Sequence, residues 1–308
     1  MDKVKRFASK NTSLIGLLVL MLIVTLIDTT FIQPSNLTNV LRQVSINGLI
    51  ALGMSLVILT GGIDLSVGSV FGLTSAILAS MLMSGVNSVF ALIVTLILGL
   101  LLGLVNGILI SKGKLQAFIA TLGTMTIYRG ILQVFTDGRP ITGFDSDFID
   151  FIGRGYIVGI PFPTIILIIA TLGVIFLTKK TAFGKEIYAV GGNEKTARLS
   201  AINVDKVKMK VYAISGLLAS ISGVILLSRL NSAQVTAGTA YEMDAIAAVV
   251  LGGTSMSGGK GKITGTFIGI LLIGVLSNAL NILNVSSFYQ NIAKGIVILL
   301  AVLIDRKK

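Results

Sequence analysis

Apolar segments about twenty residues long recur from near the start of this chain to near its end, separated by turns that collect lysine and arginine. One helix needs about 20 mostly apolar residues to cross a bilayer core. Repeated runs of that length therefore constrain the fold more than any single motif does, because in lipid every backbone polar group must be satisfied inside the segment. Composition agrees. Of the 308 residues, 54% are apolar and 12% charged, and the mean hydropathy is +0.94, whereas soluble domains hold about 25% charged residues. The expectation is an all-α polytopic membrane protein with a single transmembrane domain over 1–308 and about ten transmembrane helices.

Spans are expected at about 13–32, 45–60, 65–84, 88–110, 116–135, 162–178, 210–229, 243–256, 264–283 and 288–304. The segment near 243–256 is short and rich in Gly and Ser, which predicts a short, broken or re-entrant helix. The basic start Met1-Asp-Lys-Val-Lys-Arg and the apolar run Leu14 to Ile27 resemble a signal peptide. No small-residue cleavage site follows, so this segment is expected to remain as a first span. Placing the N-terminus in the cytoplasm gathers Lys3, Lys5, Arg6, Lys10, Lys112, Lys114, the cluster from Lys179 to Lys210, Lys260, Lys262, Arg306, Lys307 and Lys308 on that side. That is 19 of the 25 basic residues, as the positive-inside rule requires. Both termini are thus expected in the cytoplasm. The largest outer loop, about 137–160, carries Asp137, Asp145, Asp147 and Asp150 against Arg139 and Arg154. It is either a solvated loop or a docking surface for an extracytoplasmic partner.

Several chemistries are excluded at once. Cysteine, histidine and tryptophan are absent, which removes thiol catalysis, disulfides, Cys/His zinc sites and any triad that needs imidazole. The 13 acidic residues form no dense cluster inside a span, so no metal site is expected. The net charge of +12 reads as basic loops beside anionic lipid rather than as a nucleic-acid surface.

Gly99, Gly103 and Gly107 fall on one helix face, as do Gly261, Gly265 and Gly269, and Gly68 and Gly72. Such stripes let helices approach closely, within one chain or between two copies. A first candidate stretch is Leu59-Thr-Gly-Gly-Ile-Asp-Leu-Ser-Val-Gly-Ser69, in which glycines and a carboxylate interrupt apolar sequence. Unwound backbone at membrane depth survives only when buried in protein or lining water. Gly61, Gly62, Asp64 and Ser66 are therefore candidates for a translocation pathway. Asp64 can equally cap the following helix. A related run, Leu251-Gly-Gly-Thr-Ser-Met-Ser-Gly-Gly259, aligns Gly252 and Gly253 with Gly61 and Gly62, Ser255 with Asp64, and Ser257 with Ser66. Paired glycine-interrupted segments point to a transporter pathway, and these four join the candidates.

A second stretch is the long basic loop at about 179–209. Asn193 can cap a short helix in which Glu194 and Arg198 form an i,i+4 pair. The apolar side given by Ala197, Leu199, Ala201 and Ile202 must rest on lipid or on a partner protein.

The run Gly-Lys-Glu-Ile-Tyr-Ala-Val-Gly-Gly-Asn-Glu-Lys-Thr-Ala-Arg-Leu-Ser-Ala-Ile-Asn at 184–203 resembles the ATPase-coupling loop of the ribose-type ABC sugar permeases, importers of ribose, xylose, arabinose and galactosides. The segments 61–68, 248–261 and Ala120-Thr-Leu-Gly-Thr-Met125 look like further signatures of that family, and the resemblance extends over about 35–304. It implies a permease subunit in a prokaryotic cytoplasmic membrane, working by alternating access and dimerising around a central path. It also implies a cytoplasmic ABC ATPase seated on Gly192, Asn193, Glu194, Ala197, Arg198, Leu199 and Ser200, and an extracytoplasmic sugar-binding protein. One departure is Ala201, where the family commonly has glycine. Gly258-Gly-Lys-Gly-Lys262 lacks the spacing and the final Ser or Thr of a Walker A loop. ATP and Mg are therefore expected on the partner ATPase, with no cofactor in this chain. The rival reading is a secondary transporter with Asp64 as its proton or cation site.

Overall fold

The computed structural model describes residues 12–305, and the expectations for the two basic termini lie outside that range. The chain is all-helical apart from four two-residue strands. Helices α1 (Thr12–Ile27) and α2 (Pro34–Leu59) are joined by a 3-10 turn at Thr29–Ile32, and α3 (Val67–Met83), α4 (Ser88–Ser111) and α5 (Ala117–Thr136) follow. Next come α6 (Asp147–Arg154), α7 (Phe162–Lys180), α8 (Ala182–Gly192), α9 (Glu194–Leu199), α10 (Val204–Leu230), α11 (Tyr241–Leu251), α12 (Ile263–Ile282) and α13 (Ser287–Asp305). Short antiparallel pairs join β1 (Ile141–Thr142) to β4 (Ser232–Ala233), and β2 (Tyr156–Ile157) to β3 (Ile160–Pro161).

Six of these helices, α2, α4, α5, α7, α10 and α12, are long and apolar enough to cross a membrane, and α1 and α3 are shorter apolar helices. The layers are the reverse of a soluble protein's. The middle is built by α2, α3 and α10, whose side chains are mostly buried. By contrast, α4, α5 and α7 turn Ile93, Ile97, Ile127, Ile131, Ile169 and Phe176 outward. An outer shell of aliphatic side chains is stable only against lipid or protein.

Glycine sets how closely the centre packs. A Cβ at Gly99 or Gly103 would collide with Ser220 or with the Tyr212 carbonyl of α10, and one at Gly107 would lie 2.6 Å from the Met209 Cα. Gly265 and Gly269 likewise press on Gly252 and Ala248. Both stripes serve packing within one chain, the first of the two uses weighed from sequence.

The clearest difference from expectation is at the second span. The second span begins at Pro34 rather than 45, because its polar first half is bonded to protein. Asn36 exchanges bonds with Asn278 at 2.8 and 3.0 Å, and Arg42 donates to the Arg154 carbonyl at 3.1 Å. The long basic loop folds as two helices, α8 and α9, broken at Asn193. The segment expected to be short or broken is α11, about 16 Å long at ~1.5 Å per residue, against a core of about 30 Å.

Candidate functional site

The ends of α2 and α11 are built alike. In each, the chain leaves the helix through a left-handed glycine, Gly61 at φ 80° and Gly253 at φ 83°. Gly61 N donates to Ile58 O at 2.8 Å and Gly62 N to Val57 O at 3.1 Å. Gly253 N donates to Val250 O at 2.8 Å and Thr254 N to Val249 O at 3.2 Å. This is the Schellman ending, in which a positive-φ residue lets two amides satisfy the last carbonyls. The two turns share this ending, but one residue out of the register expected from sequence. Gly61 matches Gly253, which places Met256 rather than Ser255 opposite Asp64. The expected register keeps more identical letters, and only the φ values reveal which glycine turns the chain.

These turns meet the basic loop. Gly259 N donates to Leu59 O at 3.0 Å, and Tyr188 Oη of α8 donates to Gly261 O at 3.0 Å. A Cβ at Gly191 would collide with the Leu59 carbonyl. The end of α8, the turn 60–62 and the loop 252–262 are thus one glycine-lined junction, and Ser255 and Ser257 lie in the last of these. Asp64 is 1% exposed. Its Oδ1 accepts from Ser66 N at 3.1 Å and Ser66 Oγ at 2.7 Å, and its Oδ2 accepts from Ser215 Oγ of α10 at 3.1 Å. Asn106 of α4 donates to Ser66 Oγ at 2.7 Å. The carboxylate pins the turn before α3, while the residue at the start of that helix is Ser66. Of the pathway candidates, Gly61 and Gly62 line a cavity of about 280 Å³ together with Lys114, Glu194, Arg198 and Tyr212.

At that cavity the charges form a network. Asn193 caps α9 by accepting from Thr196 N at 2.9 Å. Arg198 reaches Glu194 at 3.1 Å, the pair expected from spacing, and also Asp205 at 2.7 Å. Lys208 closes on Glu194 at 2.7 Å and Lys114 on Asp205 at 3.3 Å. Burial alone would raise the Glu194 carboxyl, but Lys208 and Arg198 outweigh it and hold the group below its usual range. Ala197 is buried under α9, Gly192 abuts Gly259, and Ser200 ends the helix by donating to Thr196 O at 3.0 Å. Leu199 stands 89% exposed at the tip. Sequence spacing missed Lys114, Asp205 and Lys208, which are remote from Glu194 and Arg198 in the chain or lie across the turn from them. It also missed Arg129, the one charge between Lys114 and Asp137. A lone ionisable residue within a span is itself a signal of function.

The family profile described as branched-chain amino acid transport system / permease component matches residues 36–302, and the chain belongs to that family. It is a transporter component, a multi-pass permease. It is similar to the ribose import permease protein of Bacillus subtilis (strain 168), 57% identical over 295 residues that cover 96% of this chain and 92% of the relative. The ribose import permease protein of Haemophilus influenzae (strain ATCC 51907 / DSM 11121 / KW20 / Rd) is 53% identical over 306 residues, 98% of this chain and 95% of that one. The ribose import permease protein of Escherichia coli (strain K12) is 52% identical over 307 residues, 99% and 96% of the two chains. No solved structure gives a significant match.

Proposed function

We propose that this chain is the membrane-spanning subunit of an ATP-driven importer that carries a monosaccharide, ribose, across a prokaryotic cytoplasmic membrane by alternating access. The observation that carries this reading is identity of 52–57% with three relatives named ribose import permease, over at least 92% of every chain compared. In this reading α1–α5, α7, α10, α12 and α13 each cross, and the short α11 with the non-helical 231–240 before it makes the tenth crossing of one permease domain over 1–308, with both termini cytoplasmic. Two copies pair around the path, and 137–160 meets a sugar-binding protein.

ATP and Mg belong to the partner ATPase, which seats on 179–209 through Gly192, Asn193, Glu194, Ala197, Arg198, Leu199 and Ser200. The charge network ties α9 to the start of α10, and α10 carries Ser215 to Asp64. A push on α9 thus has a bonded route to the glycine turns holding Gly61, Gly62, Asp64, Ser66, Gly252, Gly253, Ser255 and Ser257. The test is reconstitution with an ATPase and a binding protein in liposomes. Ribose should stimulate ATP hydrolysis and uptake, and Glu194→Arg or Arg198→Glu should separate the two while insertion stays normal. Uptake by the chain alone under an ion gradient, without ATP, would overturn the reading in favour of a secondary transporter.

A further inference from the structure

Polar residues Thr126, Arg129 and Gln133 recur at i, i+3 and i+7 on one face of α5. The neighbouring face of that helix presents Ile127 and Val134 outward, and Ile119 and Leu122 continue the stripe's own face toward the start of the helix. Thr126 and Gln133 are exposed and Arg129 half-buried. The stripe borders a cavity of about 360 Å³ whose other polar lining is Ser69, Thr239 and Glu242.

Two features mark this cavity as a site rather than a packing gap. Ser69 lines it at 1% exposed, yet its Oγ has no hydrogen-bond partner among the described residues, and a buried polar group left bare costs stability. The cavity also receives the N-terminus of the half-helix α11, preceded by Ala240 at φ 66°, and such half-helix ends commonly face transported solutes. Hydrocarbon against Arg129, Gln133 and Glu242 would be costly, so the open side faces water or a second copy.

The chemistry selects the solute. Arg129 Nη1 donates to the carbonyls of Val235 and Ala237 at 2.9 and 2.8 Å, and Nη2 to that of Gly68 at 3.3 Å. A guanidinium so committed fixes the segment before α11 with three of its five N–H donors. Glu242 lies near enough to oppose its charge, so the cavity offers no net field to recruit an ion. What remains are hydroxyl, amide and carboxylate oxygens spaced around a volume near the lower end of small-molecule pockets. We infer that Ser69, Thr126, Gln133 and Glu242 form a transit subsite for a single neutral sugar ring, facing the path between two copies. The inference rests on the importer reading above.

The chain has no cysteine, so a single introduced thiol reports cleanly. In the assembled transporter, Thr126→Cys and Gln133→Cys should react with a water-soluble thiosulfonate, and Ile169→Cys, on the outer face of α7, should not. Ribose with ATP should slow both reactions at least about threefold. Glu242→Gln should lower ribose uptake about three- to tenfold, the scale of one lost hydrogen bond to a charged group. A complex that imports ribose while neither cysteine is labelled, or while both are labelled without protection, overturns this inference alone. Protection by a branched-chain amino acid in place of sugar overturns the choice of solute. A complex without ribose-stimulated hydrolysis overturns the importer reading and this one with it.

Discussion

Charges are used in two different ways around α9 and in the interior of this molecule. Around α9, five charged side chains share contacts, and each is partly solvated, from Lys208 at 17% to Lys114 at 64% exposed. Inside, each charge has few partners and little water. Asp244 of α11 is 6% exposed at its side chain and meets Lys294 of α13 at 2.8 Å, with Asn47 donating at 3.3 Å. Arg129 spends its donors on backbone carbonyls, and Asp64 is held by serines. Exposed pairs are worth about 0–1 kcal/mol, whereas a buried charge deprived of its partner costs several times that. The outer network can therefore be rearranged by a docking protein, while the inner contacts fix backbone that has no other support.

The largest effect should come from the inner set. Lys294→Met strands Asp244 beside apolar neighbours and should destabilise the purified protein by about 3–5 kcal/mol, read as a fall in thermal midpoint in detergent. A change under about 1 kcal/mol would erase the distinction between the two regions. Arg129→Met comes next. It uncovers two carbonyls on the non-helical segment 231–240 and one in the first turn of α3, and should cost roughly 2–3 kcal/mol. It should also expose 231–240 to protease, whereas Arg129→Lys should recover only part of the loss because one ammonium cannot span the same three acceptors.

Legibility followed the same division. Hydropathy located the apolar spans to within a few residues, and spacing found the α9 cap and the Glu194–Arg198 pair, because both signals are local. The first half of α2 was invisible, since Asn36, Arg42 and Asn47 look like loop residues until Asn278, the Arg154 carbonyl and Asp244 are brought beside them. The match between the glycine turns could be seen, but its register could not, because φ is not written in a pair of identical letters. Asp205 and Lys208 joined the outer network through the turn at 200–203, whose shape depends on packing under Ala197.

The outer network makes a smaller prediction with a definite sign. Glu194 is held below its usual value of about 4.3, so its contribution is complete above that pH and is lost as pH falls through the depressed value. Protection of 182–203 from protease should thus be flat from neutral pH down to about 5 and weaken below about 4. Glu194→Gln should shrink that acid step to the part carried by Asp205, which Arg198 also holds below its usual range, and cost about 1 kcal/mol or less at neutral pH. A step near neutrality would mean that this carboxylate is not governed by Lys208 and Arg198.

Ala201 sharpens the contrast from the backbone side. It sits at φ 61° just past α9, where Ala201 N donates to Arg198 O and Ile202 N to Ala197 O, both at 3.1 Å. This is another Schellman ending, with alanine in the left-handed position that glycine occupies after α2 and α11. An L side chain there costs about 1–2 kcal/mol, offset by the roughly 0.5–1 kcal/mol of extra chain entropy that glycine loses on folding. Ala201→Gly should therefore stabilise the 194–203 segment by about 0.5 kcal/mol, seen as slower amide exchange at Ile202 with the rest of the chain unchanged. A result of that size would put one backbone dihedral on a par with a salt bridge of the neighbouring network. A destabilising result would mean that the Ala201 methyl group makes a packing contact stronger than its strain.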